Sequence, residues 1–271
     1  MKKILFPTDF SERANRALKQ AVAIAESFNS KIIIHHAHSR PVHTGDGSGQ
    51  METLRLKAEH SIDKEFKKLF DQNKELRNVE HEFHKQLGVS IENIVEVSKM
   101  ENIDLIIMAT KGASGLGELW GTKTARIVKS VDIPVLVIPD NTSLADINTV
   151  GLICDYSKEA NYHSLDFLLA VAEKLKLNID TITLNRNEKV MTENEKAYRQ
   201  LVRKKLEPVP TSFHVVFSEN INEGIIDYSK KNNIGLIAMM PKSYSFMERL
   251  FHESLTEKMA FSSPLPLLVL K

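Results

Sequence analysis

One feature constrains this chain more than any other: it contains a repeat. Gly88–Ser114 lies over Glu219–Ser245 without a gap, at a constant offset of 131 residues. Ile91-Glu92-Asn93-Ile94-Val95-Glu96 falls on Asn222-Glu223-Gly224-Ile225-Ile226-Asp227, and Ser98-Lys99 on Ser229-Lys230. Asn102-Ile103 then falls on Asn233-Ile234, Leu105-Ile106 on Leu236-Ile237, and Met108 on Met239. The two beginnings also correspond, with Asp9-Phe10-Ser11-Glu12 over Asp155-Tyr156-Ser157-Lys158, Ala14-Asn15 over Ala160-Asn161, and Ala25-Glu26 over Ala172-Glu173. The offset there is 146 to 147, so the first copy is longer by about 16 residues in its middle. The Gly- and Ser-rich stretch in Ser39–Gln50 is the expected place for that excess, as a surface loop. A chain of 271 residues divides comfortably into two such domains. The Pro, Asp, Asn, Thr and Ser cluster at Pro139–Ala145 reads as the linker, giving domains at residues 1–142 and 146–271.

Each copy orders its patterns as strand, helix, strand, long helix, strand, helix, strand, helix, strand. Ile4–Phe6 and Ile32–His36 are apolar or β-branched runs, and Ala14–Phe28 between them is apolar at helical spacing behind Ser11 and Glu12. Ile62, Phe66, Leu69 and Phe70 mark one face of the long helix, Val79–Leu87 alternates as a strand, and Ser90 is expected to cap a helix running to Lys99. Leu105–Ala109 and Val135–Ile138 are short apolar runs of the kind buried in parallel sheets. Alternating strands and helices predict an α/β fold, a doubly wound parallel sheet covered on both faces. Ligands of such sheets bind beyond the carboxyl ends of the strands, where strand order reverses. Those ends are Pro7–Asp9, His36–His38 and Ala109–Gly112.

Composition narrows the function classes. Apolar residues make up 42% and charged residues 26%, the balance of a globular protein, and the formal charge of +1 supplies no field to recruit nucleic acid or an anionic membrane. No apolar run approaches the roughly 18 residues of a bilayer helix. The single cysteine, Cys154, excludes an internal disulfide and fits a reducing cytoplasm as an inert buried thiol. The start, MKKILFPTDF, reads as a strand and not as a secretory leader. His35, His36, His38 and His43 invite a metal site, but no acidic residue near them completes a ligand pattern; His35 reads as a packed strand residue and the others as the lining of a polar mouth. No metal site is expected. The basic stretch Arg199–Lys205 reads as a solvated helix face.

Four separated segments carry a family resemblance. They are Ile4–Glu12, Met108–Leu116, Gly121-Thr122 and Ile133–Pro139, and together they resemble the universal stress protein family, here as a tandem pair spanning the chain. The resemblance implies two flavodoxin-like, adenine-nucleotide hydrolase-like (HUP-type) domains, each a five-stranded parallel sheet flanked by helices. It also implies binding of ATP or AMP, with or without Mg2+, through a pattern of Gly, two residues, Gly, nine residues, Gly, then Ser or Thr. Glycines let backbone N–H groups approach phosphate oxygens, and the following helix N-terminus adds its positive dipole end.

Carried over, the early acid is Asp9, flanked by Pro7 and Thr8, and the adenine-side backbone is near Ala37. The loop residues are Met108, Ala109, Lys111, Gly112 and Gly115, followed by Gly121, Thr122 and Thr124. Two departures stand out: Ala109 replaces the first glycine, and only eight residues, Ala113–Trp120, separate Gly112 from Gly121. The second copy departs further, with Met240-Pro241-Lys242-Ser243 and His252-Glu253 at the corresponding places. A glutamate there repels phosphate.

The resemblance therefore implies a cytoplasmic stress-response protein whose first copy binds an adenine nucleotide as a signal or switch, with ATP hydrolysis slow or absent. A scaffold that recognises a partner without nucleotide is the alternative. A substrate-activating enzyme of the wider superfamily is disfavoured, because the chain carries neither its phosphate signatures nor a P-loop lysine motif. The closing strands Pro134–Ile138 and Pro266–Leu270 resemble those through which family members pair, which implies a pseudo-twofold pairing of the two domains; association into a homodimer stays open.

Overall fold

The structure is a computed structural model that describes residues 1–38, 48–110, 122–140, 142–154, 156, 163–185, 191–219, 221–240 and 265–271. The first half runs β1 (Lys3–Pro7), α1 (Glu12–Phe28), β2 (Lys31–His38), α2 (Ser48–Gln72), a 3-10 turn at Lys74–Asn78, β3 (His81–Leu87), α3 (Ser90–Met100), β4 (Leu105–Thr110), α4 (Thr122–Ser130) and β5 (Val135–Pro139). The second runs β6 (Thr149–Ile153), α5 (Ser164–Leu175), β7 (Asn178–Asn185), α6 (Glu193–Leu206), β8 (Thr211–Phe217), α7 (Ile221–Lys231), β9 (Leu236–Met239) and β10 (Leu267–Val269).

Among the described residues, ten strands form one sheet in the order β3-β2-β1-β4-β5-β10-β9-β6-β7-β8. Read from its outer edge, each half has the same strand order, and all pairs within a half are parallel. The fold is α/β with two tandem five-stranded units, as the alternation of strands and helices predicts. The two sheets are continuous because β5 and β10 pair antiparallel, with Leu136 opposite Leu268.

Strand alternation sends side chains to two cores. Ile4 and Phe6 meet α1 and α2 on one face, through Leu18, Val22, Phe66 and Leu69. Leu5 meets α3 and α4 on the other, through Ile94, Val97, Ile127 and Val128. The α5 and α6 helices join the first face and α7 the second. At the start of α1, Ser11 is extended and its hydroxyl accepts from the Ala14 N–H; at the end, Asn29 turns left-handed at φ 50° and closes the last carbonyls. Asn102 and Asn233, matched in the repeat, share that conformation at φ 51° and 53°.

Two local expectations change. The excess of the first half is not confined to a loop: Ser48–Gln50 already belong to α2, which has 25 residues against 14 in α6, so much of the extra chain is helical. Ser90 is the first helical residue of α3, and Val89 holds the capping position without a side-chain bond, so Ser90 is no cap.

Candidate functional site

The strand order of the first half reverses at β1, which has β2 on one side and β4 on the other. A crevice therefore opens beyond the carboxyl ends of these three strands. At the end of β1 the Thr8 N–H donates to the His35 carbonyl at 2.8 Å, the last rung of the β1–β2 ladder. The buried Thr8 hydroxyl accepts from the Phe10 N–H at 3.0 Å. Phe10 then takes a left-handed turn, φ 60°, that lifts the chain out of the sheet and into the Ser11 cap.

That turn leaves Asp9 exposed at the mouth. Partial burial opposes its charge, but Ser11, through side chain and backbone, and the Arg13 guanidinium hold its carboxyl below the usual range. The Arg13 contact is loose at 3.5 Å. Asp9 is thus an anion at neutral pH, suited to accept from hydroxyl or amino groups.

On β2, the His35 carbonyl points toward β1 and the His38 carbonyl points toward β3, where the Gly88 N–H meets it at 2.9 Å. Backbone groups alternate along a strand, so Ala37 directs its N–H and C=O to the β1 side, past the last rung. His36 Nδ1 donates to the Thr8 carbonyl at 2.9 Å, its ring lies 4.5 Å from that of Phe10, and the His38 ring is parallel to it at 6.5 Å. The β4 end supplies Met108, buried on the α3–α4 face, and Ala109, half-buried on the opposite face. Pro7, Thr8, Asp9, Ala37 and Ala109 are therefore brought to one rim, with Met108 below it. Thr122 opens α4 and Thr124 is buried within it. Lys111, Gly112, Gly115 and Gly121 lie outside the described residues, as do Pro241–Ser243, His252 and Glu253 of the second half.

The corresponding crevice of the second half carries different side chains. The Cys154 N–H donates to the Ile182 carbonyl at 2.9 Å, so Cys154 stands where Thr8 does and Tyr156 where Phe10 does. Tyr156 is buried, and burial with the neighbouring Cys154 pushes its phenol pKa up. That phenol stays uncharged and packs into the core on the α5–α6 face.

A profile of the universal stress protein family matches residues 1–139, more than half of the chain. The chain belongs to the universal stress protein family. It is 31% identical over 157 residues to universal stress protein MJ0577 of Methanocaldococcus jannaschii, covering 52% of this chain and 97% of that protein. It is also 31% identical over 143 residues to universal stress protein MJ0531 of the same organism, covering 51% of this chain and 81% of the relative. Among solved structures, a universal stress protein of Archaeoglobus fulgidus superposes on 99% of this chain and 96% of its own with a TM-score of 0.70 at 18% identity, a likeness of fold.

Sequence reasoning misses two polar clusters in this universal stress protein. His35 is buried and its Nδ1 lies 2.9 Å from Nδ1 of His84 on β3. Burial first, then His84, His36 and Lys123, lowers the His35 pKa to about 4, so His35 is held neutral with its Nδ1 against that of His84. In the second half the Ser212 hydroxyl donates to Asp180, His214 Nε2 lies 2.7 Å from that hydroxyl, and Tyr228 donates to the other Asp180 oxygen at 3.3 Å. These residue types suggest a nucleophilic triad, but the order is wrong: the carboxylate accepts the serine's hydrogen bond and does not orient the imidazole. Burial and Asp180 push the Tyr228 pKa up to about 12. The cluster is a proton-satisfied strand pairing. The basic stretch of α6 is a solvated face, with Arg203 and Lys204 exposed, and it also makes contacts: Arg203 and Arg199 lie 4.7 and 5.5 Å from the Phe213 ring centre, and Lys205 pairs with Asp166.

Proposed function

We propose that this universal stress protein binds an adenine nucleotide, ATP or AMP, with or without Mg2+, in the first of two domains, residues 1–142 and 146–271, and that occupancy serves as a signal. The observation that carries the reading is the rim of the first crevice. An ionised Asp9 faces solvent there, the Ala37 backbone donor and acceptor project past the β1–β2 ladder, and the small Ala109 stands next to last in β4. An adenine edge needs a backbone donor and acceptor together, and ribose hydroxyls need an anionic acceptor. Lys111, Gly112, Gly115, Gly121, Thr122 and Thr124 are the proposed phosphate-side residues, by the motif they match. Catalysis has no assigned residue in this reading and is at most slow hydrolysis.

In the second domain, buried Cys154 and Tyr156 replace Thr8 and Phe10 and Glu253 stands at the phosphate position of the motif, so that half is proposed to bind no nucleotide. The β5–β10 ladder is read as a pseudo-twofold pairing of the domains. A cytoplasmic setting belongs to the proposal, supported by the lone buried thiol. A nucleotide-free scaffold is the competing reading, favoured by Ala109 and the short spacing between Gly112 and Gly121.

Thermal-shift titration with ATP, ADP and AMP, with and without Mg2+, decides between them. Ligand at about 100 times its Kd stabilises the native state by about 2.7 kcal/mol, an easily read rise in Tm. The proposal expects that rise in the native protein and its loss in Gly112→Glu. No shift at millimolar nucleotide establishes the scaffold reading instead.

A further inference from the structure

A cavity of about 450 Å³ lies over the β5–β10 seam, between α1 and α5. Its floor is Leu105, Leu136, Leu236 and Leu268; Ile24 and Phe28 of α1 wall one side, and Val171 and Leu175 of α5 the other. These residues are repeat-related pairs. Leu105 matches Leu236 in the ungapped repeat, Ile24 and Phe28 stand 147 residues before Val171 and Leu175, and Leu136 faces Leu268 across the antiparallel ladder. The cavity thus surrounds the local twofold axis. It arises because α1 packs over the strands of the first half and α5 over those of the second, leaving space above the central leucine pair. Residues 143–145 and Ile147, between the halves, line it as well, and Gln20 holds this segment by donating to the Thr142 carbonyl and accepting from the Leu144 N–H at 2.7 Å. None of the rim residues of the nucleotide crevice lines it.

The chemistry of the lining selects a ligand class. The volume falls in the range of small-molecule sites, and the floor and helix walls just named are aliphatic apart from Phe28. Of the polar side chains, Gln20 is occupied by the linker, the Ser27 hydroxyl donates to the Ala23 carbonyl at 2.8 Å, and the Ser143 hydroxyl accepts from the Ala145 N–H at 3.2 Å. Lys19, exposed at the rim, is the one charged side chain among the described lining residues. An apolar chamber with the Lys19 ammonium at its edge matches a chain that is hydrocarbon along its length and anionic at one end.

We propose that this cavity binds a medium-chain aliphatic carboxylate, its hydrocarbon laid over Leu136 and Leu268 and its carboxylate at the Lys19 ammonium. The site bridges both halves and the segment joining them, and it is independent of nucleotide binding.

The full-length protein titrated by calorimetry with octanoate, decanoate and dodecanoate, each below its micelle concentration, tests this. The expected result is one ligand per chain, with affinity rising about fourfold for each added methylene until the cavity is filled. Lys19→Glu, at an exposed position, is expected to weaken dodecanoate at least tenfold, and dodecanol is expected to bind the native protein correspondingly more weakly than dodecanoate. Val171→Trp fills the chamber and is expected to abolish binding; circular dichroism checks its fold, and Lys19→Glu carries the test if that variant does not fold. Affinity independent of chain length, dodecanol binding as tightly as dodecanoate, or indifference to Lys19→Glu each overturns the proposal. Competition by ATP overturns it too, because it places the chain in the crevice.

Discussion

The two halves use one strand order to hold two different sets of chemistry, and the places where they differ are informative. His35 and Ile182 occupy the same ladder position, opposite Pro7 and Ile153 respectively, and both contact a histidine-bearing rung, His84 or His214. In the first half the histidines pair with each other; in the second an isoleucine takes one place, and His214 turns to Ser212, whose hydroxyl donates to Asp180. A second exchange lies at the end of the third strand. Gly88 is left-handed at φ 136° with the Asn93 side chain against it; in the ladder its place is taken by Ser218, whose N–H donates to the Asn185 carbonyl as that of Gly88 does to His38, one residue before the Glu219 of the repeat register, and Gly224 stands at the Asn93 position. A Cβ at Gly224 lies 2.7 Å from the Ser218 Cβ, and one at Gly88 lies 2.9 Å from Asn93 Oδ1. Large and small have traded places, so the space is conserved and its occupant is not. At the crevice the change is of chemistry and not of size, Thr8 and Phe10 giving way to Cys154 and Tyr156.

The comparison can be broken most forcefully at the seam the halves share. Leu136→Ala and Leu268→Ala each remove a buried side chain at the β5–β10 pair and are expected to lower stability by about 3 kcal/mol in urea denaturation. Similar losses for the two are expected of a symmetric seam; a large loss from one alone contradicts it.

The buried histidine pair makes the first half acid-sensitive. Unfolded His35 regains a pKa near 6.5 and the folded residue titrates at about 4, so the unfolded chain binds more protons between those values. Stability is full above about pH 6.5 and falls as pH drops to about 4, by about 2–3 kcal/mol. His35→Leu, which gives the first half the aliphatic character of Ile182, is expected to flatten the slope of Tm against pH in that window.

The Gly–Ser exchange predicts a compensated pair. Gly224→Asn alone drives a side chain into Ser218 and is expected to destabilise by about 2 kcal/mol. Adding Ser218→Gly restores the pairing of the first half and recovers most of the loss, a coupling that a double-mutant cycle measures. The smallest effect is expected at α6, whose capping box joins Thr192 and Glu195, at 3.3 Å from the Glu195 N–H to the Thr192 hydroxyl. Thr192→Ala is expected to cost about 1 kcal/mol in chemical denaturation.

Much of the architecture is legible in the sequence because it is written locally. Ile4–Phe6, Ile32–Ile34 and Leu105–Ile107 are apolar runs that become buried strands, and Ile62, Phe66 and Leu69 become the buried stripe of α2 at their helical spacing. Local signals also mislead. Gly45–Gly49 reads as a loop, yet α2 begins at Ser48, since a helix that packs Phe66 and Leu69 against the sheet extends beyond its own strong formers. The candidate crevice is legible where the motif names Thr8, Asp9 and Ala109. The direction of the Ala37 backbone is not, because it depends on ladder register. The His35–His84 contact and the Asp180–Ser212–Tyr228 cluster join residues distant in sequence, and no spacing rule brings them together. The seam cavity is less legible still, since it belongs to neither half alone.

The central claim is that a shared fold carries one nucleotide site and not two. Calorimetric titration of the full-length protein with ATP measures this directly as a stoichiometry. One nucleotide per chain is predicted, lost in Gly112→Glu and unchanged in Tyr156→Phe, which alters only the second mouth. Two nucleotides per chain, or one that survives Gly112→Glu, would contradict the account.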